Sequence, residues 1–121
     1  MKIFDCTTFY SEHLMMDLRF NILNDYVEKF IVCESTISHS GKKKKLNFDI
    51  NNYPKFKDKI SYIIIDEEPE DIIGLKNGLA KPHEKRSDSL KRINLSYDYM
   101  IKEIDKASDN DLIILSDNDE I

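Results

Sequence analysis

The sequence has no tryptophan, only two cysteines, three glycines and three prolines, and no long uninterrupted apolar segment. Cys6 and Cys33 follow neither a Cys-x-x-Cys pattern nor a Cys/His spacing, which argues against a disulfide framework and a zinc site, so we expect two buried free thiols. No window approaches the roughly 18 apolar residues of a membrane-spanning helix. Asp5 interrupts the region where a signal peptide would be apolar. We therefore expect a cytoplasmic protein in a reducing compartment.

What the sequence does contain is charge of both signs, with an acidic excess. Of its 121 residues, 23 are Asp or Glu and 18 are Lys or Arg, which gives a formal net charge of -5. An acidic chain lacks the overall positive field that binds nucleic acid. The run Lys42–Lys45 is a local exception, and it is either a solvated loop or a patch that faces phosphate. The length and the apolar share of 40% predict one soluble domain over residues 1–121.

Four apolar runs alternate with helical patterns or long polar connections. The runs cover residues 3–9, 30–35, 60–65 and 111–115, and each is predicted to be a strand because it is rich in β-branched or aromatic residues. Their apolar character is continuous rather than alternating, which is typical of parallel strands covered on both faces. The predicted fold class is therefore α/β, with an open, mostly parallel, doubly wound sheet.

Two helices are predicted from the spacing of apolar residues. In the first helix, Leu14, Leu18 and Ile22 recur at helical spacing, so this stripe is expected to face the core. The second helix is long and amphipathic. Its apolar positions, at spacings of three and four, are Leu90, Ile93, Tyr97, Ile101 and Ile104. Residues 36–58 are predicted to be mostly loop, and residues 69–83, with two prolines and two glycines, a mobile loop.

Two Asp-x-Asp patterns flank the last predicted strand. Asp109 and Asp111 precede it, so they belong to the amino edge of the sheet, where they are expected to end the helix and start the strand. Asp117 and Asp119 follow it and belong to the carboxyl edge, together with Glu34, and open α/β sheets bind their ligands at that edge. Two carboxylates one residue apart can jointly hold a hard divalent cation, whose other ligands are water or phosphate oxygens. The sequence therefore predicts a metal site at Asp117 and Asp119.

Several segments resemble one family, and they occur in the same order along almost the whole chain. They are KIFDCTTFYSE, DLRFN, FIVCES, HSGK and DLIILSDNDEI. Together they resemble the N-terminal half of glycosyltransferase family 17, the β-1,4-mannosyl-glycoprotein 4-β-N-acetylglucosaminyltransferases and their bacterial and viral relatives. The resemblance implies a nucleotide-sugar fold of the GT-A type, UDP-N-acetylglucosamine as the donor, and Mn²⁺ or Mg²⁺ as the cofactor.

The resemblance also implies roles for individual acids and hydroxyls. Asp117 and Asp119 match the Asp-x-Asp motif of the family and would hold the metal that binds the donor diphosphate. Asp5, Thr7 and Glu34 lie where folds of this type contact the nucleoside. Hydrogen bonding at the strand ends is the alternative explanation for the same three residues.

Basic residues complete the implied site. His39, Ser40, Gly41 and Lys42 match a loop over the site, in which Lys42 would pair with phosphate. Arg92 falls near a family arginine and would reach the diphosphate. Arg19 also matches a family position, but it projects from a helix, so we expect a structural ion pair with Asp17 or with a loop rather than a catalytic role.

The sequence leaves more than one function open. The chain stops at Ile121, directly after the Asp-x-Asp strand, whereas the resemblance implies a second half with the acceptor site and the catalytic base. A non-catalytic interaction module is therefore one alternative to an active transferase, and the acceptor stays open. A phosphotransferase of the haloacid dehalogenase type, with Asp5 as nucleophile, is disfavoured because Thr7 stands where that family has an acid. A last strand without a neighbour beyond it would also expose an apolar edge, which would pair with another copy or with a separately encoded second half.

Overall fold

The computed structural model describes residues 1–70, 72, 81–104 and 107–117. The strands are β1 (Ile3–Phe9), β2 (Lys29–Ser35), β3 (Ile60–Ile65) and β4 (Leu112–Ser116), and the helices are α1 (His13–Leu23) and α2 (Pro82–Glu103). All four predicted strands and both predicted helices are present. The predicted loop at 69–83 lies mostly outside the described residues. The connection between β2 and β3 is irregular, as predicted, apart from two single-turn 3₁₀ helices, Ile50–Asn52 and Lys57–Lys59.

The four described strands form one parallel sheet in the order β3-β2-β1-β4. The chain moves outward from β1 through α1 to β2 and β3, and it then returns across the opposite face through α2 to β4. The direction of winding therefore reverses between β1 and β4. In open sheets of this kind, the crevice beyond the carboxyl ends at the reversal is the usual place for a ligand. The prediction of an open, doubly wound α/β sheet is confirmed.

The first face of the sheet is covered by α1 and by the connection between β2 and β3. Phe20 of α1 is fully buried. Its ring packs against those of Phe30, Tyr53, Phe56 and Phe48, with centroid distances of 4.7, 5.0, 5.5 and 6.5 Å. Three of these four pairs have the edge-to-face geometry that aromatic rings prefer. This face therefore has an aromatic core.

The predicted core stripe of α1 is wrong. Leu14, Leu18 and Ile22 are 74%, 42% and 51% exposed, whereas Met16 and Phe20 are buried against the sheet. Both sets of positions carry apolar residues at helical spacing, so the helix has two candidate faces. The structure buries the face with the aromatic ring, because an aromatic side chain removes a large apolar area from water.

The second face of the sheet is covered by α2, and Met100 of α2 and Ile104, which directly follows it, pack on Cys6, Cys33 and Ile65. Both cysteines are buried free thiols, as predicted. Burial raises the pKa of each thiol to about 12, and the neighbouring Asp5 and Glu34 charges act in the same direction on Cys6 and Cys33, respectively. The thiols are therefore protonated at neutral pH.

The predicted apolar stripe of α2 is confirmed in part, since Tyr97 in its middle is partly buried and packs against the core. Ile104 is buried, but Leu90 and Ile101 are 54% and 49% exposed. The side of the helix that meets the sheet is centred on Ser96 and Met100, which are 5% and 0% exposed. Apolar spacing did not select this side because a small hydroxyl residue lies at its centre.

The strand β4 is apolar and yet exposed. Leu112, Ile113 and Leu115 are 47%, 40% and 44% exposed, and among the described strands β4 pairs only with β1. The predicted apolar edge is therefore present in the described part of the chain. At the amino edge of the sheet, where the parallel strands begin, the carboxylate of Asp111 accepts hydrogen bonds from the backbone N–H groups of Lys2 and Ser108, at 2.9 and 2.8 Å. Asp111 thus starts the strand, as predicted.

Candidate functional site

A cavity of about 340 Å³ opens at the carboxyl ends of β1, β2 and β3. Thr8, Cys33 and Ile65 line it from these strands, and the loop after β2 and one side of α2 form its walls. Small-molecule sites in proteins have volumes of roughly 300–1,000 Å³. The cavity is therefore large enough for a small ligand, and it lies at the edge of the sheet that the sequence selected.

Arg92 of α2 connects three parts of the cavity wall. Its Nε and Nη2 donate to the Glu68 carboxylate at 2.9 and 3.1 Å, and its Nη1 donates to the carbonyl oxygen of His39 at 3.0 Å. The hydroxyl of Ser89 donates to the same carbonyl at 2.8 Å. Arg92 therefore holds both the segment after β3 and the loop after β2 against α2.

Gly41 allows the loop after β2 to approach Arg92 closely. Its φ of 91° lies in the left-handed region, which side chains disfavour. A Cβ atom at this position would lie 2.8 Å from Nη2 of Arg92. The left-handed backbone conformation therefore favours a glycine here, and a side chain would also displace the guanidinium of Arg92.

Asp117 directly follows β4 and contacts α2, but it is not among the described residues that line the cavity. The hydroxyl of Tyr97 donates to its Oδ1 at 3.5 Å, the outer limit of a hydrogen bond. Partial burial lowers the pKa of His39; the negative charge of Asp117 opposes this and the positive charge of Arg92 adds to it, so the net direction is downward. The His39 imidazole is therefore neutral at neutral pH, between one cationic and one anionic neighbour.

The structure describes only one of the two predicted metal ligands. Asp117 lies at the carboxyl edge, as predicted, and Asp119 lies outside the described residues. Across residues 1–70, 72, 81–104 and 107–117, no three His, Cys, Asp or Glu side chains come together as ligands for a metal ion. Metal binding by Asp117 and Asp119 therefore stays a prediction.

Glu34 does not line the cavity. Its buried carboxylate accepts hydrogen bonds from Lys44 Nζ and Tyr62 Oη, both at 2.6 Å, and from the backbone N–H groups of Asn47 and Phe48, at 2.7 and 3.0 Å. Burial alone would raise the pKa of Glu34, but these four hydrogen bonds hold it below its usual value. Its carboxylate anchors the loop after β2, which agrees with the strand-end alternative rather than with a nucleoside contact.

Asp5 and Thr7 point to the α1 face of the sheet, because alternate residues of a strand face the same side. The buried carboxylate of Asp5 accepts from Arg19 Nε and Nη2 at 2.6 and 2.5 Å, which corrects the expected pairing of Arg19 with Asp17. A carboxylate engaged through both oxygens is not available as a nucleophile, so the phosphotransferase alternative finds no support. The hydroxyl of Thr7 donates to the carbonyl oxygen of Thr8 at 3.1 Å.

The lysine run contributes a different residue from the predicted one. Lys42 is exposed and does not line the cavity, whereas Lys44 does. Tyr10, Glu12 and Glu68 also line the cavity and were not predicted. Tyr10 directly follows β1 and Glu68 belongs to the acidic run after β3, so the carboxyl-edge rule could have selected both. The sequence could not show which lysine of the run lines the cavity, because that depends on how the loop folds back to Glu34.

The strand order and the cavity at the carboxyl ends define the class of fold, an open α/β sheet, which is consistent with a nucleotide-sugar fold. The family model of glycosyltransferase family 17 matches residues 1–121, and the chain belongs to that family. The suspected family is thereby confirmed, and the class of activity is glycosyl transfer. No curated protein and no solved structure matches the chain. No helix among the described residues is long and apolar enough to span a bilayer.

Proposed function

We propose that the chain binds a UDP-sugar donor, with UDP-N-acetylglucosamine as the first candidate, in the cavity at the carboxyl ends of β1, β2 and β3. In this proposal Asp117 and Asp119 hold a Mn²⁺ or Mg²⁺ ion that joins the donor diphosphate to the protein. The observation that carries the proposal is the place of Asp117, which follows β4 at the reversal of the sheet and whose charge acts on His39, a residue that lines the cavity. Membership of glycosyltransferase family 17 supports the reaction class.

The charge of the cavity supports a role for a cation. Its acidic lining residues are Glu12, Glu67 and Glu68, and its basic ones are Lys44 and Arg92. A diphosphate would add negative charge to this acidic excess, and like charges brought together in a partly buried site cost free energy unless a cation joins them. The oxygen ligands of Asp117 and Asp119 suit a hard divalent cation that takes its other ligands from phosphate and water.

The residues of the chain would bind and orient the donor. Arg92 would bind phosphate oxygens through the two donors that now engage Glu68, because a guanidinium matches phosphate as well as carboxylate geometry. Its third bond, to the carbonyl oxygen of His39, would keep the loop after β2 closed over the donor. When bound, the metal would stabilise the negative charge of the UDP leaving group.

The first experiment is a calorimetric titration of UDP into the chain, with and without Mn²⁺. We expect binding that requires Mn²⁺. The double substitution Asp117→Ala, Asp119→Ala should weaken binding at least tenfold, because it removes both carboxylate ligands. Release of UDP from UDP-N-acetylglucosamine, measured in parallel, separates an active transferase from a non-catalytic interaction module.

The matched control is the double substitution Asp25→Ala, Asp109→Ala. It removes the same charge from exposed positions outside the carboxyl edge, since Asp25 precedes β2 and Asp109 precedes β4. We expect this control to bind UDP and Mn²⁺ like the unchanged chain. A folded chain that binds no UDP in Mn²⁺, or equal loss of affinity in both double variants, would contradict the proposal.

A further inference from the structure

The carbonyl oxygen of His39 joins the loop after β2 (residues 36–44) to α2 through two donors, Ser89 and Arg92. We propose that Ser89 is a positioning residue for donor binding: its hydroxyl fixes this carbonyl, so that Arg92 keeps its orientation when it exchanges Glu68 for phosphate. This inference rests on the proposed function and extends it, because it identifies the residue that holds the phosphate-binding guanidinium in place.

The loop after β2 is closed by its own hydrogen bonds. Ile37 and Lys43 form an isolated antiparallel bridge at its base. Inside it, the N–H of Ser38 donates to the carbonyl oxygen of Lys42 at 2.8 Å, and the N–H of Gly41 donates to the carbonyl oxygen of Ser38 at 2.9 Å. These bonds fix the shape of the loop but not its position relative to the cavity. That position depends on contacts with other elements.

The two donors from α2 fill the acceptor capacity of the His39 carbonyl. The Ser89 hydroxyl lies at 2.8 Å and Nη1 of Arg92 at 3.0 Å, and a carbonyl oxygen has two lone pairs. Ser89 and Arg92 are three residues apart, so they lie on the same side of the helix. Arg92 lines the cavity, whereas Ser89 is not among the described residues that line it. One donor can therefore meet a ligand, and the other acts through the loop.

The hydroxyl of Ser89 donates outside its own helix. A serine within a helix can donate to a carbonyl oxygen of the preceding turn, as Ser96 does to Ile93 at 2.6 Å. Ser89 instead donates to His39, which lies 50 positions away in the sequence. Fixing a short serine side chain costs less conformational entropy than fixing an arginine. Ser89 is therefore the donor better suited to act as a permanent anchor for the loop.

Arg92 has to keep one bond while it exchanges the others. In the proposed function, its Nε and Nη2 turn from Glu68 to phosphate, and its Nη1 stays on the carbonyl oxygen of His39. The guanidinium is planar and its donors point in fixed directions, so a carbonyl that moved would turn the whole group. The Ser89 hydroxyl holds the carbonyl by a bond for which the ligand does not compete. Ser89 would thus raise the affinity for a diphosphate without touching it.

Calorimetric titration of UDP in Mn²⁺ into the unchanged chain, Ser89→Ala and Ser89→Thr tests the role of the hydroxyl. Ser89→Ala should weaken UDP binding by about three- to tenfold, which is the effect of losing one hydrogen bond. Ser89→Thr keeps the hydroxyl and should restore the affinity of the unchanged chain. Alanine favours the helix more than serine does, so α2 should stay folded in Ser89→Ala, and a thermal unfolding curve checks this.

The same titration in an Arg92→Lys chain separates positioning of Arg92 from a general structural effect. Lysine keeps the positive charge but has no planar fork that a fixed carbonyl could orient. Adding Ser89→Ala to Arg92→Lys should therefore weaken UDP binding by less than about twofold, because coupled residues lose their effect together. A purely structural role of Ser89 would give the same fold loss in both chains.

Ser87→Ala is the matched control, because Ser87 is a partly buried serine of α2 that is not among the described cavity-lining residues. It should bind UDP like the unchanged chain. Normal UDP affinity in Ser89→Ala, an equal loss in Ser89→Thr, or an equal loss in the Arg92→Lys chain would overturn the inference and leave the proposed function standing. A folded, unchanged chain that binds no UDP in Mn²⁺ would overturn both, since Arg92 would then have no phosphate to bind.

Discussion

At the scale of single residues, the acidic side chains of the strands and of the carboxyl edge differ in what neutralises them. Asp5 and Glu34 are buried, and each has its carboxylate fully engaged by donors within the fold. Glu68 is partly exposed and accepts from the Nε and Nη2 atoms of Arg92, whereas Asp117 is exposed. The deeper a carboxylate lies, the more its removal costs in stability and the less it can exchange partners with a ligand. Glu68 and Asp117 are therefore the acids whose substitution should change ligand binding.

Glu68→Gln should strengthen the binding of UDP in Mn²⁺. The substitution removes a negative charge from the cavity and weakens the competitor for Arg92, and a partly exposed ion pair of this kind is worth roughly 0.5–1 kcal/mol, or about two- to fivefold in affinity. Calorimetric titration measures the change, with Glu70→Gln, at an exposed position two residues on, as the control. Weaker binding by Glu68→Gln would mean instead that Glu68 positions Arg92 for the donor.

The contribution of Glu34 to the stability of the folded chain should decrease at acid pH. Its pKa in the folded chain lies below the usual value of 4.5, so its stabilising effect is complete above about pH 4.5 and is lost as the pH falls through the folded value. Glu34→Gln should cost about 3 kcal/mol at pH 7, because a buried carboxylate loses charged hydrogen bonds.

The measurement is the thermal midpoint of both chains from pH 7 to pH 3. The difference between the unchanged chain and Glu34→Gln should narrow below pH 4.5. Glu28→Gln, at an exposed position, should follow the unchanged chain throughout. A difference that stays constant down to pH 3 would show that the charge of Glu34 is not what stabilises the loop after β2.

At the scale of elements, the orientation of α1 has a direct energetic consequence. Phe20→Ala should destabilise the chain by about 3–5 kcal/mol, because it empties the centre of the aromatic core. Leu18→Ala, on the exposed side of the same helix, should cost less than about 1 kcal/mol. Urea unfolding of both variants checks the prediction. Equal losses, or a larger loss at Leu18, would mean that α1 packs through the leucine side.

The positions of the strands and helices along the chain could be predicted from the sequence, but the side of each that faces the core could not. Continuous apolar runs identified all four strands, and the carboxyl-edge rule located the cavity, because both depend on local residue types and chain direction. The buried side of α1 was not predictable from spacing, since Leu18 and Phe20 belong to two competing apolar stripes. The same limit applies to Asp5, inside β1, and to Glu34, near the end of β2, which both face the α1 side of the sheet. Which way a strand residue points depends on which face each helix covers, and that is a property of the tertiary fold.

At the scale of the whole molecule, the apolar side chains of β4 predict association. An exposed apolar strand at the edge of a sheet pairs readily with another chain. We expect sedimentation at micromolar concentration to show a species larger than one chain. Ile113→Lys should reduce this association because it places a charge on the exposed face of β4.

Ile64→Lys is the control for β4, since Ile64 is 46% exposed on β3, the strand at the opposite side of the described sheet. It should leave the association unchanged. A monomeric chain at micromolar concentration would contradict the prediction. An equal effect of both lysines would mean that association does not depend on β4 in particular.

Chemical labelling of the two buried cysteines can measure local unfolding of the sheet. Cys6 and Cys33 lie on adjacent central strands, both almost completely shielded, and neither forms a thiolate at neutral pH. An alkylating reagent reacts with thiolates, so it can label Cys6, which does not line the cavity, only when the sheet opens. The rate of labelling therefore reports how often the centre of the sheet opens, without any engineered probe. Because Cys33 also lines the cavity, a bound ligand that slows this opening would register as protection from the reagent.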